Sequence, residues 1–337
     1  MPDLPMLETI LAAKLGDDGR TDSRGRGEDA TVNRLEDLSA EITGKEAAVF
    51  MPTGTFANST AIMTCCHAGD KVLVEEEQHI LLTEKFVFEK DYGRLIPVCY
   101  RLDHKHMPDP EEIDRLLSES GSKLVCLENS HNSAGGYCID CSTLEKIRKV
   151  ADKHGAWIHM DGARLFHAAA YLDTTASQLC QYADSVMFCV SKGLGAPIGS
   201  LLCSTEDFCK KARENRKLFG GVMRQAGVAA APAIYALENN IERLREDIEN
   251  ASVIYDMLKG KMKKIGIQEE VQTNIIMLDL SKAGIYAEEF CEIAEKKGLL
   301  MRPFRSLVKV RMVLYKGITR QDAVRAAEIV LEIDRSL

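Results

Sequence analysis

The run Ser185-Val186-Met187-Phe188-Cys189-Val190 is apolar at every position after its first, and it stops at Ser191-Lys192. A strand without polar alternation has no wet face, so it belongs in a sheet covered on both sides. Lys71 to Val74, Lys123 to Glu128 and Trp157 to Met160 read in the same way. Helical patterns lie between these runs, so the chain predicts an α/β fold with a mostly parallel sheet. Asp161 closes one run and Lys192 another. Ligands of open α/β sheets bind beyond the carboxyl ends of the strands. An acid and a lysine in that position and chain order suit pyridoxal phosphate: the acid keeps the pyridine nitrogen protonated, and the lysine carries the cofactor as a Schiff base.

Composition narrows the alternatives. The chain has 337 residues, 45% of them hydrophobic, enough for one large domain or two ordinary ones. A net charge of −8 and the absence of a basic stripe argue against nucleic acid as a partner. The start, Met1 to Asp18, has an early acid and no basic, then apolar, signal pattern. Apolar runs such as Gly227 to Leu237 are too short to span a bilayer, so no membrane association is expected. Eleven scattered cysteines suit reduced thiols in the cytoplasm. Cys138 and Cys141 form one CxxC, but a structural zinc site wants a second pair, so no metal is expected.

Strands are expected at Ala47–Phe50, Lys71–Val74, Lys123–Glu128, Trp157–Met160, Ser185–Val190 and Ile198–Cys203, with a helix over Phe56–His67. Ser142 with Glu145 three residues on reads as a capping box for a helix to His154. From Val222 the pattern stays helical to about Lys264. Strands at Val271–Leu280, Leu299–Phe304 and Lys309–Leu314 then interleave with helices at Tyr286–Lys297 and Arg320–Ser336. The expected division is a large cofactor-binding domain over 1–240 and a small C-terminal α/β domain over 241–337. Gly19 to Gly27 reads as a flexible loop.

Individual residues carry the chemistry. Lys192 sits between Ser191 and Gly193-Leu194-Gly195, where glycines let backbone pass close to a bulky ligand. Arg164 follows Asp161 by three residues, a spacing that one helical turn would bring to one face. Arg164 could grip a carboxylate bidentately. Pro52-Thr53-Gly54-Thr55 follows a strand and opens a helix, whose first amides suit a phosphate. His79 and His131 each follow a strand, whereas His104 and His106 look solvated.

Seven segments in order then resemble L-threonine aldolase, a fold-type I pyridoxal phosphate enzyme of the β-eliminating lyase superfamily. They are Gly27 to Glu36, the Gly54-Thr55 helix entry, Gln78-His79-Ile80, Glu128 to Asn132, Asp161 to Arg164, Ser191 to Ser200 and Met223 to Gly227. The resemblance runs from about Leu15 to the C-terminus. It implies a seven-stranded, mostly parallel sheet with helices on both faces. It implies that Lys192 carries the cofactor, that Asp161 pairs with the pyridine nitrogen and that His79 stacks on the ring. Gly54, Thr55 and Ser191 would bind near the phosphate. Lys217 and Arg224 match basic residues near the phosphate, with Arg224 reaching across a subunit interface. Arg164 and Arg311 would hold the substrate carboxylate, and His131 would sit near the substrate hydroxyl. The implied assembly is a homo-oligomer with a dimer-shared site, commonly within a tetramer.

The family usually begins with a segment that places a serine beside the substrate carboxylate, and this chain starts later, at Met1-Pro2-Asp3. Arg26 stands where an aromatic residue is common, and Tyr315 lies near the place of a usual histidine. The expected reaction is cleavage of L-threonine, L-allo-threonine and other β-hydroxy-α-amino acids to glycine and an aldehyde. The hydroxyl proton would pass to His79, His131 or a water that they hold. The alternatives are β-elimination or transamination on the same scaffold, or a cofactor-binding homologue with weak catalysis.

Overall fold

The computed structural model describes residues 2–23 and 25–337. After a short α1 (Leu4–Glu8) come α2 (Ala30–Thr43), β1 (Ala47–Met51), α3 (Gly54–Cys65), β2 (Lys71–Glu75), β3 (Ile96–Tyr100), α4 (Pro110–Ser120) and β4 (Leu124–Glu128). Then follow α5 (Cys141–His154), β5 (Trp157–Asp161), α6 (Leu165–Tyr171), α7 (Ala176–Cys180), β6 (Ser185–Cys189), β7 (Ser200–Ser204), α8 (Glu206–Leu218) and α9 (Gly227–Asn239). The C-terminal part holds α10 (Leu244–Leu258), β8 (Gly266–Ile267), β9 (Ile275–Asp279), α11 (Ala287–Lys296), β10 (Arg302–Pro303), β11 (Lys309–Val313) and α12 (Arg320–Ser336).

The large sheet has seven strands in the order β1-β7-β6-β5-β4-β2-β3. The pairs of β2 with β3, β2 with β4, β4 with β5 and β5 with β6 are parallel. Strand β7 runs antiparallel to both β6 and β1. Every residue of β4, β6 and β7 is buried, as unbroken apolar runs require. The antiparallel turn into β7 needs no crossover helix, so a ten-residue connection suffices between Cys189 and Ser200. That connection carries Lys192.

The second sheet has the order β10-β11-β9-β8, with antiparallel neighbours. A separate apolar core runs from Ala251 through Phe290 and Val310 to Ile333. The long helical stretch expected from Val222 is two helices, broken at Asn240–Arg243. The cap of α5 is Asp140, whose carboxylate accepts from the Thr143 amide at 2.7 Å, rather than the expected Ser142. The Gly19–Gly27 segment is a turned loop, with Thr21 bridged to Gly27 and the Asp22 amide donating to the Arg26 carbonyl. Arg24 lies outside the described residues. His104 is exposed, but His106 is half-buried against Tyr137, with ring centroids 4.3 Å apart.

Candidate active site

A cleft of about 280 Å³ opens beyond the carboxyl ends of β5 and β6, with the first turn of α3 as one wall. Thr53 caps α3 by accepting from the Phe56 amide at 3.1 Å. The Gly54 and Thr55 amides have no partner among the described residues, as expected of the first turn of a helix. They line the cleft beside Ser191 and Lys192, where an anion would meet free N–H groups and the positive helix end. Gly54 also sits on the floor of the large sheet: a Cβ there would meet Cys189 Sγ at 2.8 Å and Met187 Cε at 2.9 Å.

Asp161 enters the same cleft from the end of β5. Its Oδ1 accepts from the Ala163 amide (3.0 Å), and its Oδ2 accepts from Asn58 Nδ2 (2.9 Å). Asn58 is a junction. Its Nδ2 also donates to Glu84 Oε1 (3.1 Å), and its Oδ1 lies 3.0 Å from His159 Nε2. Burial pushes His159 down to about 4, so its ring is neutral. The Asn58 carbonyl then takes the Nε2 proton, and Nδ1 accepts from Ser185 Oγ, 2.9 Å away. This chain of bonds fixes the Asp161 carboxylate from behind.

His79 and Glu84 form the opposite wall. His79 Nδ1 lies 3.0 Å from Glu84 Oε1. Burial raises the Glu84 pKa, nearby Asp161 adds to it, and Glu84 Oε2 has no hydrogen-bond partner among the described residues. With Glu84 ionised, Nδ1 is the donor, and Nε2 keeps a lone pair for the cleft. The His79 amide donates to Glu128 at 2.9 Å, which anchors the turn that carries the ring.

Lys192 also lines a second, adjoining cleft of about 370 Å³, together with Arg164, Asn274, Tyr315 and Pro2. Its loop is held from below. Asn240 Nδ2 donates to the Leu194 carbonyl at 2.7 Å, and Arg243 donates to that of Gly193 at 3.3 Å. A Cβ on Gly193 would meet the buried His167 ring at 2.1 Å, so only glycine lets the loop lie this close. The N-terminal residues reach the same cleft: Asp3 caps α1 and accepts from Lys316 Nζ at 2.6 Å.

Two arginines meet beside this second cleft. Arg164 Nη1 and Arg311 Nη1 both donate to Asn132 Oδ1, at 3.2 and 2.7 Å. Neither guanidinium has a carboxylate within 4.0 Å among the described residues. Burial, with Arg164 and Arg305 nearby, lowers Arg311 to about 10, and burial also lowers Arg164. Two partly buried cations that share one neutral acceptor make a site for an anion.

Lys192, Asp161, His79, Gly54, Thr55 and Ser191 therefore surround one cleft, with Arg164 and Arg311 beside the next. Asp161 and Arg164 do not share the helical face that their three-residue spacing predicts. Gly162 extends the ladder of β5 with β6, its amide donating to the Met187 carbonyl, and Arg164 precedes α6 rather than sharing a helix with Asp161. His131 lines neither cleft among the described residues. Its Nε2 is 2.9 Å from Glu75, and its Nδ1 accepts from the Ala134 amide at 3.1 Å, so both nitrogens are used. Lys217 and Arg224 are exposed outside the cleft of their own chain, and Arg224 pairs with Asp17. Asn58, Glu84 and Asn132 escaped notice in the sequence. The signals available were Asn132 next to His131 and Glu84 five residues past His79.

The donor set fits pyridoxal phosphate. The helix amides and Ser191 suit its phosphate, the braced Asp161 suits its pyridine nitrogen, and Lys192 suits its aldehyde. Sequence comparison reaches the same chemistry. A family model for beta-eliminating lyase matches residues 3–283. The chain is 34% identical over 331 residues to Low-specificity L-threonine aldolase 1 of Arabidopsis thaliana, covering 95% of this chain and 90% of that one. It is 33% identical over 345 residues to the Low specificity L-threonine aldolase of Escherichia coli, covering 97% and 94%. The solved structure of a Leishmania major threonine aldolase superposes with a TM-score of 0.78 at 18% identity, covering 98% and 96%.

Proposed function

The chain belongs to the beta-eliminating lyase family and is a pyridoxal-phosphate-dependent lyase, and from that premise we propose that it cleaves L-threonine, L-allo-threonine and related β-hydroxy-α-amino acids to glycine and an aldehyde. The observation that carries this reading is the pair of arginines that share Asn132 beside Lys192 and have no carboxylate within 4.0 Å among the described residues. The family also contains other reactions at Cα and Cβ. The two closely similar relatives described above are both named for threonine aldolase.

Bound pyridoxal phosphate supplies a cationic ring that takes up the electron pair released when a bond at Cα breaks. Lys192 would hold the cofactor and yield it to the substrate amine. Asp161, braced by Asn58, would keep the pyridine nitrogen protonated. Arg164 and Arg311 would grip the substrate carboxylate and so fix the orientation of the substrate, on which the choice of the Cα bond to be broken depends. His79 Nε2 would take the hydroxyl proton, with Glu84 holding Nδ1. His131 would then act from behind the site, as a prop between Glu75 and Ala134. We further propose that Lys217 and Arg224 serve the phosphate of a second subunit. In support, Lys192 and His79 are the only basic residues of the first cleft among those described. Eleven cysteines that form no disulfide support a cytoplasmic setting, and no helix among the described residues is long and apolar enough to cross a membrane.

The test is product analysis of the cofactor-loaded enzyme with L-threonine, L-allo-threonine and L-phenylserine. Glycine and the matching aldehyde in equal amounts are expected. Ammonia with a keto acid would move the enzyme to elimination chemistry.

A further inference from the structure

A third arginine, exposed on the second sheet, reaches the loops that flank this site. Arg305 lies at the tip of the hairpin between β10 and β11, in the left-handed region at φ 53°. Its guanidinium crosses to the loops of the large sheet. Nη1 donates to the Glu77 carbonyl (3.0 Å) and to Ser133 Oγ (2.5 Å), and Nη2 donates to Thr83 Oγ1 (2.5 Å). Glu77 lies two residues before His79, Thr83 lies next to Glu84, and Ser133 follows Asn132. Arg305 is thus pinned to the turns that present His79 and the carboxylate grip. The Phe304 ring stands between Arg305 and Arg311, 5.4 and 4.3 Å from the two guanidinium carbons.

All three of Arg305's acceptors are neutral, and no carboxylate lies within 4.0 Å of it among the described residues. Its Nε–H and one Nη2–H remain free of protein partners there. Arg164, Arg305 and Arg311 together gather three positive charges around one binding region. A monocarboxylate substrate gives its only anion to Arg164 and Arg311. The third guanidinium is bonded at Glu77 and Thr83, on either side of His79, so it flanks the wall from which His79 would take the hydroxyl proton.

We propose that Arg305 binds an anionic group carried on the β-carbon, so that the preferred substrates are β-hydroxy-α-amino acids with a second, side-chain carboxylate. This rests on the aldolase reading and narrows its substrate class. For 3-hydroxyaspartate, the β-hydroxyl loses its proton, the Cα–Cβ bond breaks, and Cα gains a proton. One molecule of glycine and one of glyoxylate account for every atom, with no oxidant or reductant. A guanidinium fork recognises carboxylate geometry, and a side-chain amide of the same shape does not satisfy its charge.

The test uses cofactor-loaded wild type, Arg305→Gln and Arg305→Lys. L-3-Hydroxyaspartate is compared with its neutral isostere L-3-hydroxyasparagine, in both β-configurations, with L-threonine as reference. Wild type should favour the acid over the amide in kcat/KM by about 10–100-fold, the range of one charge-assisted contact. Arg305→Gln should bring that ratio close to one, and Arg305→Lys should keep part of it. A second readout needs no turnover: L-aspartate, which lacks the hydroxyl, should perturb the cofactor's absorption at lower concentration than L-asparagine, and Arg305→Gln should erase the difference. An unchanged acid-to-amide ratio in Arg305→Gln, or a wild type that prefers the amide, overturns the proposal. If threonine is cleaved without any preference for the acid, only the role of Arg305 falls. If no substrate yields glycine, the aldolase reading falls, and the aspartate-to-asparagine binding difference still decides the role of Arg305.

Discussion

Lys192, Glu84 and Asn132 illustrate three kinds of side chain in one site. Lys192 was legible because a cation that ends an apolar strand and precedes Gly-x-Gly has few structural uses. Replacing it with alanine should abolish both glycine formation and the visible band of the lysine-bound cofactor; retention of either would remove it from its role. Glu84 was not legible, because an acid five residues past a histidine gains meaning only when the backbone turns both toward Asp161. Burial raises its pKa above the ordinary value of 4.5. The native state therefore holds that proton more tightly than the unfolded chain does. The resulting stabilisation is complete below about pH 4.5 and is lost as pH rises through the raised native value. Glu84→Gln carries no such titration. Its Tm should gain on wild type between pH 4 and pH 8, each tenfold of proton affinity being worth about 1.4 kcal/mol. The same variant should lose turnover through the His79 wall. A calorimetric difference that stays flat with pH would mean that Glu84 sits in a water-like setting. Asn132 is hidden for a different reason: its two arginine partners lie 32 and 179 residues away.

Among the elements, the connection between β6 and β7 bears the greatest demand. It must expose Lys192 while its next residue lies against a buried ring. Gly193→Ala would place a methyl 2.1 Å from His167, so the loop or the ring has to move. Overpacking of this kind costs about 1–3 kcal/mol. Displacement of Lys192 should lower kcat more than it lowers cofactor affinity, which a spectroscopic titration beside steady-state kinetics would separate. Equal losses would place the defect in global folding. The strands around this loop were readable because their apolar runs are unbroken. Their ends were less so: the strand expected from Ile198 starts at Ser200, after a glycine at φ 112° whose Cβ would strike Phe50 at 2.5 Å. The Leu299–Phe304 run shortens to Arg302–Pro303, since both residues are exposed at a sheet edge. Sequence periodicity reports burial well and reports the point where pairing stops poorly.

At the scale of the molecule, the charge balance of the first cleft suggests a site completed by a second subunit. Lys192→Ala and Arg224→Ala carry their lesions on opposite sides of such a site. Each should be inactive alone. Unfolded together and refolded as a mixture, they should regain roughly a quarter of wild-type activity, because half the dimers are mixed and each mixed dimer has one intact site of two. No recovery, with dimers present by light scattering, would confine each site to one chain. The proposed partner was legible only through family resemblance. Nothing in the exposed positions of Lys217 and Arg224 announces it within one chain.

Lys192 stands in the wall shared by two clefts, and this has a consequence for traffic. On the proposed assignment the cofactor would occupy the cleft walled by the first turn of α3 and the end of β5, and the amino acid would arrive through the other opening, past Tyr315 and Pro2. Entry and exit of substrate therefore need not disturb the phosphate cup. An enzyme so arranged would exchange its amino acid at every turnover and keep its prosthetic group throughout, much as a lathe changes the workpiece without releasing the tool.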